Sequence, residues 1–342
     1  MLPSGNTFVA GIVAALLLSC ATAQGAAPLF EDNAVLEVTL RGPLGSVFAD
    51  FEDRTQRPFI IEAESVEYPV KVRLRGKSRL RVCEFPPLRL NFRREDIAQT
   101  IFEGQNKLKL VTHCRNYDRG EQDLLEEYTA YRIFNVLTDL SYRVRLMQIS
   151  YVDTDGKLEE KVRHRFGFVL ETSEQLGARI GAKEVTMQGV PKRRHDLEQA
   201  ALVYVYQYLI ANTDWGLVKA DYDDGCCHNL DLFERDGIVV FVPYDLDLSG
   251  LVNAKYAFPD RTLRIKKVTS RLYRGLCTDP ADLRAAFDKV VASEADIVGV
   301  LRNTPGLSDD NREKAIRFIG RFFEEAEDKD KLIGQFEKRC LD

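Results

Sequence analysis

The chain has few of the features that identify a zinc, nucleic-acid-binding or multi-span membrane protein. It contains no C-x-x-C pair, and His228 is the single histidine near the adjacent Cys226 and Cys227, which argues against a zinc site. Its net charge of -5 argues against general nucleic-acid binding. No repeat or low-complexity segment occurs, and no apolar run after Leu18 could cross a bilayer. With 45% hydrophobic and 30% charged residues, the 342-residue chain has the composition of a folded protein with one large or two modest cores.

The N-terminus has the pattern of an export signal, although no Lys or Arg precedes Arg41. An apolar run from Phe8 to Leu18 is too short to span a bilayer, and small residues follow it. Cleavage after Ala23 would make residues 1–23 a signal peptide. One alternative is a lipoprotein signal to residue 19, because L-L-S-C resembles a lipobox ending at Cys20. Cleavage and lipidation both predict an extracytoplasmic protein that is secreted, periplasmic or lipid-anchored at the surface. An uncleaved anchor or a misassigned start is the remaining alternative.

Six cysteines remain when Cys20 is set aside: Cys83, Cys114, Cys226, Cys227, Cys277 and Cys340. An even number in an exported chain predicts disulfides, and six cysteines allow 15 pairings. We expect Cys83 to pair with Cys114, because each lies beside a predicted strand. We expect Cys226 or Cys227 to pair with Cys277.

The first half of the chain has mainly the period of β-strands. Residues 34–112 alternate apolar and polar side chains in several short runs separated by Gly and Pro. The period changes to that of a helix over 121–137, and two further strands follow at 145–152 and 165–171. Residues 28–172 are therefore predicted to form a β-rich N-terminal lobe with one helix.

The second half, residues 173–342, is predicted to be a helical C-terminal lobe that contains a β-hairpin. A helix over 197–211, capped by Asp196, is apolar on nearly every face and should be buried. Further helices are predicted near 280–302, 309–327 and 328–339, the first of them beginning at Asp279-Pro280. This order predicts an α+β, two-lobed, atypical protein-kinase-like fold with a metal-site hairpin.

Candidate chemistry is concentrated in residues 212–250. Asp214 follows the buried helix, where it could accept a proton from a hydroxyl group. Asn229 and Asp245 flank the hairpin, which would bring them together to bind a divalent metal, and Asp247 could add a second carboxylate. Phosphoryl transfer needs metal ions, an orienting carboxylate and cations near the transferred group. Taken singly, these residues could instead be a turn, a strand-edge cap and a surface calcium site.

Two basic segments have open interpretations. Lys192-Arg193-Arg194-His195 is either a solvated loop or part of a groove for an acidic substrate. Arg271 and Arg274 either contact phosphates or a phosphoprotein, or form structural salt bridges.

Several motifs resemble the spore-coat protein H (CotH) kinase-like family over roughly residues 70–275. The similar segments are N-T-D-W at 212–215, H-N at 228–229, V-P-Y-D-L-D at 242–247, R-G-K-S-R at 75–79 and P-P-L-R-L at 86–90. The helix after Leu125 and the strand ending at Glu171 also fall where that family has corresponding elements. The chain departs from the family at Lys77 and Leu246.

The resemblance implies a secreted enzyme that uses ATP and Mg²⁺ or Mn²⁺ to phosphorylate Ser or Thr of a protein. It makes Asp214 the catalytic residue and assigns the metal to Asn229 and Asp245, with Asp247 beside them. Arg89 stands where a nucleotide-binding Lys is expected, a role that Lys109 could take, with Glu126 or Glu127 as its ion-pair partner. The residues expected to bind the nucleotide are Arg75, Arg79, Arg89, Lys109, Glu127 and Glu171.

Two other functions remain open at this stage. One is a secreted pseudokinase that acts as a surface adhesin or assembly scaffold, which the scarcity of ATP outside the cytoplasm favours. The intact Asp214, Asn229 and Asp245 argue against it. The other is a glycosyltransferase that uses Asp245-Leu246-Asp247 as its metal motif, but the order of strands and helices does not supply a nucleotide-sugar domain.

Overall fold

A computed structural model describes residues 28–159, 164–217 and 225–341. The predicted signal peptide and the alternative lipid site at Cys20 lie outside the described residues. The strands are β1 (Leu36–Gly42), β2 (Arg57–Ala63), β3 (Val66–Leu74), β4 (Leu88–Phe92), β5 (Lys107–Val111), β6 (Val144–Asp153), β7 (His164–Leu170), β8 (Lys183–Val185), β9 (Leu230–Arg235) and β10 (Ile238–Pro243). The helices are α1 (Leu44–Val47), α2 (Arg79–Val82), α3 (Asp118–Leu137), α4 (Ser173–Ile180), α5 (Leu197–Leu209), α6 (Pro280–Ala292), α7 (Glu294–Asn303), α8 (Asp309–Ala326) and α9 (Lys329–Glu337).

Strands β1 to β7 close into a barrel in the order β1-β2-β3-β4-β5-β7-β6. Neighbouring strands are antiparallel except β1 and β6, which run parallel from the pair Leu36–Met147 to the pair Gly42–Asp153. Alternate side chains of β3, such as Val70 and Val72, are buried in the barrel core, as the period of two predicts.

The predicted two-lobed kinase-like fold is wrong. The strands of the first half form a closed mixed barrel, whereas the predicted fold has an open sheet. Closure depends on the pairing of β1 with β6, two segments that lie far apart in the sequence. The period of a strand identifies which face is buried but not which strand is its neighbour, so the sequence pattern did not reveal closure.

A second core lies between the outer face of the barrel and the helices. Phe168 of β7 packs against Tyr128 and Tyr131 of α3, while α5 is almost wholly buried beside the antiparallel sheet β10-β9-β8. The predicted helices over 121–137 and 197–211 are confirmed with small shifts in their ends, and the Asp196 side chain caps α5. The predicted helix 280–302 is two helices that meet at Ser293.

Three disulfides join the described cysteines. The pair Cys83–Cys114 is confirmed. The predicted link to Cys277 is wrong, because Cys226 bonds to its neighbour Cys227 and Cys277 bonds to Cys340. Disulfides of this kind indicate an oxidising, extracytoplasmic compartment. Among the described residues, no helix is both long enough and apolar enough to cross a membrane.

Candidate active site

The β9–β10 hairpin brings Asn229 and Asp245 to the same end of its two strands, as predicted. The Tyr244 N–H donates to the carbonyl oxygen of Asn229 at 3.2 Å, one position beyond the last paired residues of the hairpin. Asn229 and Asp245 both have left-handed backbones, with φ of 52° and 56°. Residues other than Gly seldom adopt this conformation, and it is concentrated at functional sites, where the surrounding structure enforces it.

Asp214 is held by the two residues that precede β9. The Asn229 side-chain amide donates to the Asp214 carboxylate at 2.9 Å and to its carbonyl oxygen at 2.6 Å. The His228 Nε2 lies 3.1 Å from the other carboxylate oxygen, and this hydrogen bond raises the pKa of His228. The Asp214 side chain is 37% exposed, so its carboxylate is oriented by neighbours yet accessible to a substrate.

Three carboxylates, those of Glu127, Asp245 and Asp247, converge with oxygen atoms within 4.8 Å of one another, whereas the Asn229 side chain binds Asp214. The Arg79 guanidinium contacts all three, at 2.8 Å from Glu127, 2.7 Å from Asp245 and 3.1 Å from Asp247. We call these four residues the acidic cluster. Helix α3 supplies Glu127, α2 supplies Arg79, and the other two residues follow β10.

The hydroxyl groups of two tyrosines hold Asp245 and Asp247 in place. The Tyr131 hydroxyl accepts a hydrogen bond from the Asp245 N–H at 2.8 Å, which ties the end of β10 to α3. The Tyr256 hydroxyl donates to Asp247 at 2.9 Å. The acidic cluster is therefore attached to α3 and to the loop that follows β10.

The acidic cluster has more negative than positive charge. Burial, together with the neighbouring carboxylates, raises the pKa of Glu127 and raises that of Asp247 to about 7, although Arg79 opposes both shifts. One guanidinium faces three carboxylates, so a net negative charge remains when all three are ionised. Carboxylate oxygens are the ligands that Mg²⁺ and Mn²⁺ prefer, and this donor set fits such an ion.

A row of basic residues lies on the outer face of the barrel near Asp245. Cross-strand neighbours place Arg73, Arg89 and Lys109 side by side on β3, β4 and β5. Arg75 follows β3 and is close enough to Asp245 to be attracted by it. The Lys109 ammonium lies 5.8 Å from the centre of the Tyr244 ring, next to Asp245 in the chain.

These cations are poorly neutralised. Burial and repulsion by neighbouring arginines lower the pKa values of Arg75, Arg89 and Lys109. Attraction by Asp245 offsets part of this for Arg75, and attraction by Asp231 offsets part of it for Lys109. No ion pair within 4 Å joins any of the three to a carboxylate in the described part of the chain, and Arg89 Nε is buried without a hydrogen-bond partner there. We call Arg75, Arg89 and Lys109 the basic row. Clustered, partly buried cations of this kind favour binding of a polyanion.

The structure brings together most of the predicted site residues, with different partners from those expected. The predicted ion pair of Glu127 with Arg89 or Lys109 is wrong, because Arg79 takes that carboxylate. Glu126 pairs with Arg119 at 3.0 Å. Glu171 lies apart from the cluster, where Arg179 binds both of its oxygens.

The sequence analysis missed Tyr131, Tyr256 and the contact of His228 with Asp214. His228 stands beside Asn229 in the similar H-N motif, and that adjacency was a usable signal. The sequence has no comparable signal for the two tyrosines, because the other residues of their segments pack in the core or form turns.

Arg274 has a structural contact, a hydrogen bond to the Thr213 carbonyl oxygen at 2.5 Å.

No protein-family model matches the chain, and a search of the curated proteins finds no match. The resemblance to the CotH kinase-like family therefore stays a prediction.

Proposed function

We propose that this protein is a metal-dependent phosphotransferase that transfers the γ-phosphate of ATP to a Ser or Thr hydroxyl group of a protein. One observation carries the proposal. Three cations without an ion-pair partner among the described residues lie beside three carboxylates, two buried and one partly exposed, that a single arginine neutralises only in part. A nucleoside triphosphate with a divalent ion has the complementary charges for both.

Each group has a defined task in this proposal. The basic row, Arg75, Arg89 and Lys109, binds the phosphate oxygens. Asp245 and Asp247, with Glu127, would hold Mg²⁺ or Mn²⁺, and Asn229 lies next to them on the hairpin. When bound, that ion would neutralise charge on the phosphates.

Asp214 acts on the acceptor hydroxyl group. Its carboxylate is exposed enough to reach a substrate, and the hydrogen bonds from His228 and Asn229 fix its direction. A carboxylate in this position accepts the hydroxyl proton as the new oxygen–phosphorus bond forms and the bond from the γ-phosphorus to the bridging oxygen breaks, which releases ADP.

A second function, a secreted scaffold or adhesin without catalysis, is favoured by the position of Arg79. Its guanidinium already satisfies three carboxylates, so the acidic cluster has a cation without any metal. In this case the cluster would serve to join α2, α3 and the end of β10.

The deciding experiment is incorporation of label from [γ-³²P]ATP into mature protein and candidate substrates, with Mg²⁺ or Mn²⁺. Asp245→Asn should abolish labelling. Asp236→Asn is the matched control, because Asp236 lies in the turn of the same hairpin and also has a left-handed backbone, with φ of 52°. Label that requires both metal and Asp245 supports phosphotransfer. If there is no label and no rise in melting temperature with ATP and metal, the scaffold function replaces it.

A further inference from the structure

The loop between β10 and α6 has a charge opposite to that of the whole chain. Residues 255–274 contain seven basic side chains and one acidic side chain, Asp260, while the chain has a net charge of -5. The basic residues are Lys255, Arg261, Arg264, Lys266, Lys267, Arg271 and Arg274. This concentration of positive charge begins eight positions after Asp247.

Some of these side chains anchor the loop and the others face solvent. Arg271 binds the carbonyl oxygens of Leu209 and Phe318. Arg261, Arg264, Lys266 and Lys267 are exposed, and none of the four forms an ion pair with a carboxylate in the ranges that the structure describes. Their charge is therefore available to a partner.

An apolar side chain protrudes beside these cations. Phe258 is 79% exposed, more than any other exposed large apolar side chain of the described residues. Aromatic side chains are enriched among the residues that contribute most to binding in protein interfaces, so this ring could contact an apolar side chain of a partner. We call residues 255–267 the basic loop.

The start of the basic loop and the segment that follows its end both contact the candidate active site. At its start, the Tyr256 hydroxyl donates to Asp247. Beyond its end, Arg274 donates to the Thr213 carbonyl oxygen and is attracted by both Asp214 and Asp260. The loop therefore lies near both the acidic cluster and Asp214.

We propose that the basic loop docks an acidic segment of the protein substrate, with Asp and Glu side chains on its cations and one apolar side chain against Phe258. The placement beside the acceptor position depends on the proposed phosphotransfer, whereas the binding itself does not. Charge complementarity across such a contact would direct an acidic segment to the loop as well as hold it there.

The binding test uses fluorescence anisotropy with two labelled Ser-containing peptides that share one apolar residue. One peptide carries Asp and Glu, and the other carries Lys at the same positions. The variant is Lys266→Glu/Lys267→Glu. The control is Arg94→Glu/Lys107→Glu, which makes the same charge change at two exposed barrel residues, one just after β4 and one at the start of β5.

The acidic peptide should bind the wild type more tightly than the basic one, and added salt should weaken it. The loop variant should bind it about tenfold less tightly, while the control keeps near wild-type affinity. Phe258→Ser should weaken binding several-fold without changing its salt dependence. Equal binding of both peptides, or an equal loss in the control variant, would overturn the proposal. Tighter binding of anionic vesicles or of DNA than of the acidic peptide would overturn the choice of partner.

Failure of the proposed function can be told apart from failure of this inference. Asp245→Asn should still bind the acidic peptide, because Asp245 lies outside the basic loop. Loop-dependent binding without any transfer of label would support docking and contradict phosphotransfer. Transfer of label to the acidic and basic peptides at equal rates would support phosphotransfer and contradict docking.

Discussion

Arg79 Nη2 lies 2.8 Å from Glu127 Oε1, and fewer than a tenth of either side chain is exposed. This ion pair joins the short helix α2, which is inserted between barrel strands, to α3, which covers the outside of the barrel. Removal of one member of a buried ion pair leaves the other charge without compensation, and this costs far more than loss of a surface pair.

Arg79→Met should therefore lower the free energy of unfolding by about 3–5 kcal/mol in the absence of divalent metal. Mn²⁺ should restore much of this loss, because a metal ion can replace the missing positive charge among the three carboxylates. Chemical denaturation with and without Mn²⁺ measures both effects.

The matched control for Arg79 is Arg119→Met. Arg119 also neutralises two buried carboxylates, Asp123 at 2.6 Å and Glu126 at 3.0 Å, but these lie outside the acidic cluster. This variant should be destabilised without rescue by Mn²⁺. Equal rescue of both variants would contradict a specific metal site at the acidic cluster.

Arg89→Met should weaken nucleotide binding without loss of stability. Arg89 is half-buried and repelled by Arg73, and it has no ion pair to lose among the described residues, so the free energy of unfolding should stay within about 1 kcal/mol of wild type. The rise in melting temperature caused by ATP with metal should shrink. Lys71 is an exposed cation on the outer face of the neighbouring strand β3, and Lys71→Met should leave that rise in melting temperature unchanged. A similar loss in both variants would indicate general electrostatic attraction only.

Asp214→Asn should lower the pKa of His228, a change that can be measured without an activity assay. The hydrogen bond to Asp214 is the main cause of the raised pKa of His228, and attraction by the Asp214 and Asp245 carboxylates adds to it. Loss of the negative charge should lower that pKa, which NMR can follow because the chain has four histidines. A His228 pKa that stays raised in Asp214→Asn would mean that the two side chains do not pair in solution.

His113 should make the protein less stable in acid. Burial lowers the pKa of His113 from 6.5 to about 3, and its ring packs 4.6 Å from the ring of Phe85. Below pH 6.5 the unfolded chain therefore binds a proton that the folded protein does not, so stability is lost as the pH falls from 6.5 toward 3. At about pH 5 this loss is roughly 2 kcal/mol.

His113→Gln should flatten the dependence of the unfolding free energy on pH over that window, whatever its effect at neutral pH. His164→Gln is the control, since His164 is exposed on β7 and should leave the dependence unchanged. Urea denaturation at several pH values between 4 and 8 checks the slope. Identical slopes for wild type and His113→Gln would contradict the buried neutral histidine.

Local patterns of the sequence predicted local structure well. The alternation of β3, the helical period of α3 and the Asp196 cap of α5 each depend on residues near in sequence, and each is confirmed. The hairpin likewise predicted that Asn229 and Asp245 meet, because its register follows from a short turn.

Relationships between distant segments could not be predicted in this way. Barrel closure requires β1 to pair with β6, and no pattern within either strand specifies the other. Arg79 is predicted to bind a nucleotide, yet it lies among the carboxylates, where it joins α2 to Glu127 of α3. The preference of Cys226 for Cys227 left Cys277 for Cys340, a choice among pairings that composition does not constrain.

The Cys277–Cys340 disulfide has a consequence for the order in which this protein matures. Leu341 also exchanges backbone hydrogen bonds with Gly275 and Cys277, so the segment around Cys340 fastens the chain just after the basic loop and Arg274. During synthesis, that anchor cannot form until residue 340 has emerged into an oxidising compartment. The segment that bears Arg274, which donates to the Thr213 carbonyl oxygen beside Asp214, is therefore fastened later than the Cys83–Cys114 bond of the barrel can form.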